Sequence, residues 1–262
     1  MELSGRIAML TGAGRLGGAI AAELARAGAQ VGIVDVNVDA AAKVAELARS
    51  EGAPKAAHAR ADVSNSGAVE LAIETLEQDL GPIDILVNAH GIFPNCPLLE
   101  MDEDEWDRVF AVNTRGTMLT CRAVARRLVD RGVPGAIVNI SSGAATSARA
   151  GGSHYTGSKA AVNMLTHVLA IELGPHRIRV NAIAPGLILD DVLNEGDSHG
   201  SKYAEMMLAM TPLRRTGAPE DIAPAVVFLA SDRSPWTTGS ILEITGGSHA
   251  GRTHVPLSRD LR

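Results

Sequence analysis

Short apolar runs alternate along the chain with longer stretches in which apolar residues recur every three to four positions. Four or five apolar residues in a row, bounded by turn residues, predict buried strands, and the longer period predicts helices. Strands are expected at 7–10, 31–34, 58–61, 83–87, 136–140, 179–183 and 240–244. Helices are expected at 19–27, 39–50, 66–80, 103 to about 130, 153–173 and 219–230. Asp39 is the expected cap of the second helix, and Pro219 opens the last. This alternation predicts an α/β fold, a doubly wound parallel sheet with helices on both faces, joined by right-handed crossovers. No linker, repeat or low-complexity stretch interrupts it, so residues 1–262 read as a single domain.

One segment breaks the rhythm. Residues 187–211 follow Pro185-Gly186 and are long for a strand-to-helix connection. They carry acidic residues, then Tyr203, Met206, Met207 and Met210, with Gly196 and Gly200 as possible hinges. The segment is either a surface insertion with one small helix or a lid over a substrate, and its place after a strand's C-terminal end favours the lid. The tail, 248–262, is either loose or crosses to a neighbouring subunit.

Bulk composition narrows the classes. A net charge of −6 argues against a nucleic-acid surface, which needs a basic stripe. No apolar run approaches the length needed to span a bilayer, and the first residues lack the apolar stretch of a secretion signal. Two cysteines, Cys96 and Cys121, suggest no disulfide framework, so a reducing cytoplasm is the expected setting. Eight histidines show no metal-ligand spacing, and no catalytic metal is expected. His154 is expected at the surface or an interface, and Arg122, Arg126 and Arg127 on a solvated or interface face.

Two constellations carry the chemistry. Gly12, Gly14 and Gly17 follow the first strand and open the first helix, with Arg15 and Leu16 between the last two. Glycines permit the tight turn, let backbone N–H groups approach a pyrophosphate, and place its charge at a helix N-terminus. Asp35 ends the second strand, where a carboxylate would bond ribose hydroxyls and repel a 2′-phosphate. That predicts NAD over NADP, although Arg15 is a cation that would suit NADP. Asp62-Val63 ends the third strand and is placed to meet the adenine. The second constellation is Tyr155-Thr156-Gly157-Ser158-Lys159, with Ser142 thirteen residues upstream. Tyr155 and Lys159 share a helix face. A neighbouring cation favours the phenolate and is expected to lower the Tyr155 pKa from its ordinary value of about 10, suiting it to general acid/base work.

In this order, with Asn88-Ala89-His90-Gly91, Asn113 and Asn181-Ala182-Ile183-Ala184-Pro185-Gly186, these motifs resemble the short-chain dehydrogenase/reductase family over nearly the whole chain. The resemblance implies a Rossmann-like sheet of about seven parallel strands in a homotetramer or homodimer. It implies catalytic Asn113, Ser142, Tyr155 and Lys159, with Ser142 rather than Ser141 taken by its spacing. Lys159 would bond the nicotinamide ribose, and Asn113 would hold a water linking Lys159 to solvent. It extends the cofactor site through Asn88, Ala89, Tyr155, Lys159, Pro185, Gly186 and Ile188.

Three departures stand out. The glycine turn is one residue short, with Leu16 where the family's next glycine falls. His90 replaces a small residue, and faces the adenosine side of the cofactor or packs against a neighbouring strand. Asp190 stands where a threonine often meets the carboxamide. The expected activity is NAD-dependent interconversion of a secondary alcohol and a ketone. The alternatives are an NADPH-dependent 3-oxoacyl reductase and a non-catalytic dinucleotide-binding sensor or scaffold.

Overall fold

The structure is a computed structural model that describes residues 1–188 and 205–251. Its strands are β1 (Ile7–Thr11), β2 (Gln30–Asp35), β3 (Ala56–Arg60), β4 (Ile85–Asn88), β5 (Gly135–Ile140), β6 (Ile178–Pro185) and β7 (Ile241–Ile244). The helices between them are α1 (Arg15–Arg26), α2 (Val38–Ser50), α3 (Ser66–Leu80), α4 (Glu103–Phe110), α5 (Thr117–Arg131), α6 (Ser153–Leu173) and α7 (Pro219–Ala230). Among the described residues the strands form one parallel sheet in the order β3-β2-β1-β4-β5-β6-β7. The order reverses between β1 and β4, and a crevice at such a switch point is where open α/β sheets bind ligands.

Both faces of the sheet are covered, as continuous apolar strands require. Every residue of β1, β4 and β5 is buried. On one face Ile20, Leu24, Ile33 and Val87 pack with Ile222 and Val226 of α7. On the other, Met9, Leu86 and Ile137 pack with Ile73, Leu76 and Leu128.

Several boundaries differ from the sequence reading, each for a local reason. Asn37, not Asp39, caps α2: its Oδ1 accepts from the Asp39 and Ala40 amides, both at 3.1 Å. β3 starts earlier because Ala56 and Ala57 pair with Val31 and Gly32. The single long helix expected from 103 is divided into α4, a wider π turn over Ala111–Gly116, and α5. Arg127 is not simply solvated: it reaches Glu70 at 2.6 Å and Glu77 at 3.3 Å on α3. Among the described residues no helix is long and apolar enough to cross a membrane.

Candidate active site

The glycine turn joins β1 to α1 at the switch point. Gly12 has φ +94°, and a Cβ there would lie 2.8 Å from the Ala89 carbonyl carbon and the His90 nitrogen. A Cβ on Gly17 would lie 2.0 Å from the Gly12 oxygen. These two glycines are therefore steric requirements of the turn. Gly14 differs, since nothing lies within 4 Å of where its Cβ would be. It caps α1 without a side-chain bond, and the first turn of α1 holds no acid. The first-turn amides and the open space over Gly14 therefore fit a pyrophosphate.

Asp35 braces this turn. Its Oδ2 accepts from the Ala13 amide at 2.7 Å and its Oδ1 from the Asn37 amide at 2.8 Å. Each carboxylate oxygen keeps lone-pair capacity for a ribose hydroxyl. Arg15 is exposed at the start of α1. Asp62 is exposed and holds the Ser64 amide and hydroxyl, which keep its carboxyl below the usual range. Val63 is buried, and a Cβ on Gly116 would come within 2.8 Å of it. Asn88 is also buried, and its amide is fully committed. Nδ2 donates to Asn139 and Cys121, and Oδ1 accepts from Thr120 and Thr11. The Asn88 side chain thus ties strand ends together, while Ala89 meets the glycine turn through its backbone. Gly186 follows β6 with its amide on the Ile244 carbonyl at 2.8 Å, and Ile188 bridges to Gly217.

The catalytic candidates converge at the C-terminal ends of β4 and β5. Ser141 and Ser142 are separated by their surroundings. Ser141 is buried and bonds the Lys159 carbonyl, whereas Ser142 caps the short turn Gly143–Ala145. Ser142 Oγ accepts from the Ala144 amide at 3.1 Å, which leaves its proton to donate. It acts on the Tyr155 hydroxyl, whose pKa it lowers. The Phe93 ring meets Tyr155 edge-on, with centroids 6.3 Å apart. One helical turn on, Lys159 is buried, and its Nζ donates to the Ile140 carbonyl at 2.8 Å. Desolvation pulls the Lys159 pKa down to about 8. Asn113 lies in the π turn and is wholly buried, with its amide clamped on both backbone groups of Ile92 at 2.9 Å and on Ser158 Oγ at 3.0 Å. A Cβ on Gly91 would lie 3.3 Å from Asn113 Oδ1 and 3.4 Å from Lys159 Nζ, so this loop must pass close to both.

Two expectations are corrected. Burial pushes the Tyr155 pKa up, and Ser142 and the Arg149 charge pull it less strongly down. Lys159 is not among the groups that set it, because its ammonium is held at the Ile140 carbonyl. The site as built favours the phenol. His154 is not at the surface but completely buried, between α6 and α4. The spacing of His154 to Gly157 hinted at this, because a glycine on a helix face lets a second helix come close.

His90 also packs inward. His90 Nδ1 lies 2.6 Å from Thr11 Oγ1 and Nε2 3.4 Å from Thr117 Oγ1. Burial, aided by the Lys159 charge, lowers its pKa to about 3, so it is neutral. His249, which the sequence reading did not single out, lies over Gly143, where a Cβ would come within 2.4 Å of its Cε1. Asp190, most of the 187–211 segment and the tail from 252 lie outside the described residues. Among the described residues no group of His, Cys, Asp and Glu is arranged to hold a metal.

Comparison with known proteins extends what this geometry indicates. Residues 12–249 match the family model described as Enoyl-(Acyl carrier protein) reductase. A (3R)-3-hydroxyacyl-CoA dehydrogenase of Canis lupus familiaris is 38% identical over 255 residues, covering 94% of this chain and 97% of the relative. The crystal structure of a gluconate 5-dehydrogenase from Burkholderia cenocepacia, in complex with NADP and tartrate, superposes with a TM-score of 0.88 at 35% identity, covering 95% of this chain and 97% of that one. An NAD+-bound xylitol dehydrogenase superposes with a TM-score of 0.88 at 30% identity, covering 94% of this chain and all of its own. With likeness of this degree from end to end, the chain belongs to the short-chain dehydrogenase/reductase family, whose members bind a nicotinamide dinucleotide, and it is an oxidoreductase acting on CH–OH groups.

Proposed function

We propose that this chain is an NAD-dependent dehydrogenase that interconverts a polar secondary alcohol and its ketone, with Tyr155 as the general acid/base. The observation that carries this is the Tyr155 hydroxyl acted on by Ser142, with Lys159 buried one turn away. Bound beside them, the nicotinamide would accept or deliver the hydride. In reduction the Tyr155 phenol gives its proton to the substrate oxygen, and in oxidation the phenolate takes it back. Ser142 donates to the same oxygen and steadies its developing charge. Lys159 and Asn113 line the route by which the proton is replenished. In this reading Gly12, Gly14, Gly17, Asp62, Val63, Ala89, Pro185, Gly186 and Ile188 would line the dinucleotide.

Asp35 supports NAD, because its braced carboxylate at the end of β2 would repel a 2′-phosphate. An NADPH-dependent 3-oxoacyl reductase is the second reading, supported by Arg15 and by the hydroxyacyl substrate named for one relative. The polyol-type names of two structural neighbours favour a polyhydroxy substrate. A cavity lined by Gly186, Leu187, Ile188, Leu208 and Thr211 joins both described ends of the 187–211 segment and supports its reading as a lid. A homotetramer or homodimer is supported by Met164, Val168 and Ile171, exposed along one side of α6. Unpaired Cys96 and Cys121 suit a cytoplasmic setting.

The test is NADH formation from NAD+, with NADP+ in parallel, across polyols, sugar acids, hydroxy acids, cyclic alcohols and 3-hydroxyacyl thioesters. Tyr155→Phe is expected to lower kcat about 10²- to 10⁴-fold with NADH affinity nearly unchanged. An active Tyr155→Phe would refute the role, and silence of the wild type across the panel with tight NADH binding would favour a sensor.

A further inference from the structure

We propose that His154 and Glu105 form a positioning pair for Tyr155, through which α4 holds the catalytic tyrosine in register with Ser142. The proposal rests on the Tyr155 reading above. It begins with the start of α6, whose first amides have no partner within the helix. The cap residue is Gly152, which has no side chain to accept from them. The Thr156 amide finds the Gly152 carbonyl at 2.7 Å. The Tyr155 amide is satisfied by the side chain beside it: His154 Nδ1 accepts from it at 2.9 Å. A ring nitrogen that accepts a hydrogen bond carries no proton, so in the neutral ring the proton sits on Nε2. Nε2 lies 3.3 Å from Glu105 Oε1 on α4. The two bonds together select one tautomer and one ring orientation, as a carboxylate behind an imidazole does in other settings.

Packing makes the arrangement specific. His154 has no exposed surface, so both of its nitrogens need partners from the protein. α4 approaches α6 closely because Gly157 has no side chain: a Cβ there would lie 3.3 Å from Phe110 Cζ. α4 therefore meets α6 at two points, Glu105 on His154 and Phe110 on Gly157. These flank Tyr155, whose hydroxyl meets Ser142 independently. The amide end of the tyrosine is thus fixed by His154. Catalytic geometry is sensitive to shifts of about 1 Å, and His154 ties the amide end to a second helix.

The experiment compares kcat, NADH dissociation constant and melting temperature in four variants, with Tyr155→Phe alongside. His154→Leu keeps an apolar side chain of comparable bulk but offers no acceptor, and kcat is expected to fall about 10- to 100-fold with the NADH dissociation constant unchanged. His154→Asn returns an acceptor to the Tyr155 amide and is expected to recover most of that loss. Glu105 is half exposed, so its variants test the pair even if His154→Leu does not fold. Glu105→Ala is expected to lower kcat several-fold and Glu105→Gln to restore it. Equal kcat in His154→Leu and wild type, or equal losses in the Leu and Asn variants, would overturn the proposal while an inactive Tyr155→Phe left the dehydrogenase reading standing. An active Tyr155→Phe would overturn both.

Discussion

The two ends of the site are built from different material. At the proposed cofactor end the working groups are backbone: the amides of the glycine turn and of the first turn of α1, braced by one carboxylate, Asp35. At the proposed catalytic end they are side chains, the buried Lys159 and Asn113 and the half-buried Ser142 and Tyr155, with Lys159 and Asn113 held by partners from other elements. A backbone site asks for absence, since a methyl group on Gly12 or Gly17 would collide with main chain. It tolerates Leu16 and a turn one residue short as long as the amides still converge. A side-chain site asks for presence and support. Its cost is visible in Lys159, whose charge is held out of water against the Ile140 carbonyl.

The largest effect should come from the two glycines that look alike in sequence and differ in space. Gly17→Ala places a Cβ against the Gly12 oxygen and is expected to destabilise the fold by about 1–3 kcal/mol and to abolish measurable NADH binding. Gly14→Ala meets no neighbour, so its melting temperature should equal that of the wild type while NADH affinity falls, because the methyl group fills the space assigned to pyrophosphate. Calorimetric titration and thermal melts on both variants check this. Normal NADH binding by Gly14→Ala would move the dinucleotide away from that space.

Next comes Lys159→Met, which should cut kcat at least tenfold yet raise stability. The Lys159 pKa falls from 10.5 to about 8 on folding, so the unfolded chain binds more protons between those values and wild-type stability rises with pH across that window. Below about pH 8 the full cost of the buried charge is present, on the order of 3 kcal/mol, and the uncapped Ile140 carbonyl left by methionine offsets part of the gain. Urea denaturation from pH 7 to 9.5 should show wild type approaching Lys159→Met as pH rises. Parallel curves would mean that the lysine stays charged in the fold.

The smallest effect concerns cofactor choice. Asp35→Asn keeps an acceptor for the Ala13 amide and removes the charge, so the NADP+/NAD+ ratio of kcat/KM should rise about tenfold, or roughly 1.4 kcal/mol. An unchanged ratio would pass control of specificity to Arg15 or elsewhere on the adenosine side.

Much of this was legible along the chain because it depends on local physics. α6 and α7 begin and end where the sequence reading put them, since period, Pro219 and the flanking glycines are near-neighbour features. The glycine turn and the Tyr155/Lys159 pair were visible as spacings. The errors came from local hydrogen-bond geometry and from contacts between distant residues. Asn37 took the cap of α2 from Asp39 by a hydrogen-bond geometry that composition does not reveal. The π turn that carries Asn113 has the apolar pattern of an ordinary helix. The direction of the Tyr155 pKa shift reversed, because burial outweighed Ser142 and the Arg149 charge, and Lys159 had found another partner.

The sequence by itself determined the doubly wound sheet, the glycine turn between β1 and α1 and the candidates for moving a proton, because periodicity, glycine placement and helical spacing act within a few residues of one another. Only the tertiary structure decided that His90 and His154 are interior and that Gly14 is the open glycine. Burial and desolvation belong to the packing of elements far apart in the chain, and they set the charge, tautomer and direction of a side chain whose identity is already given.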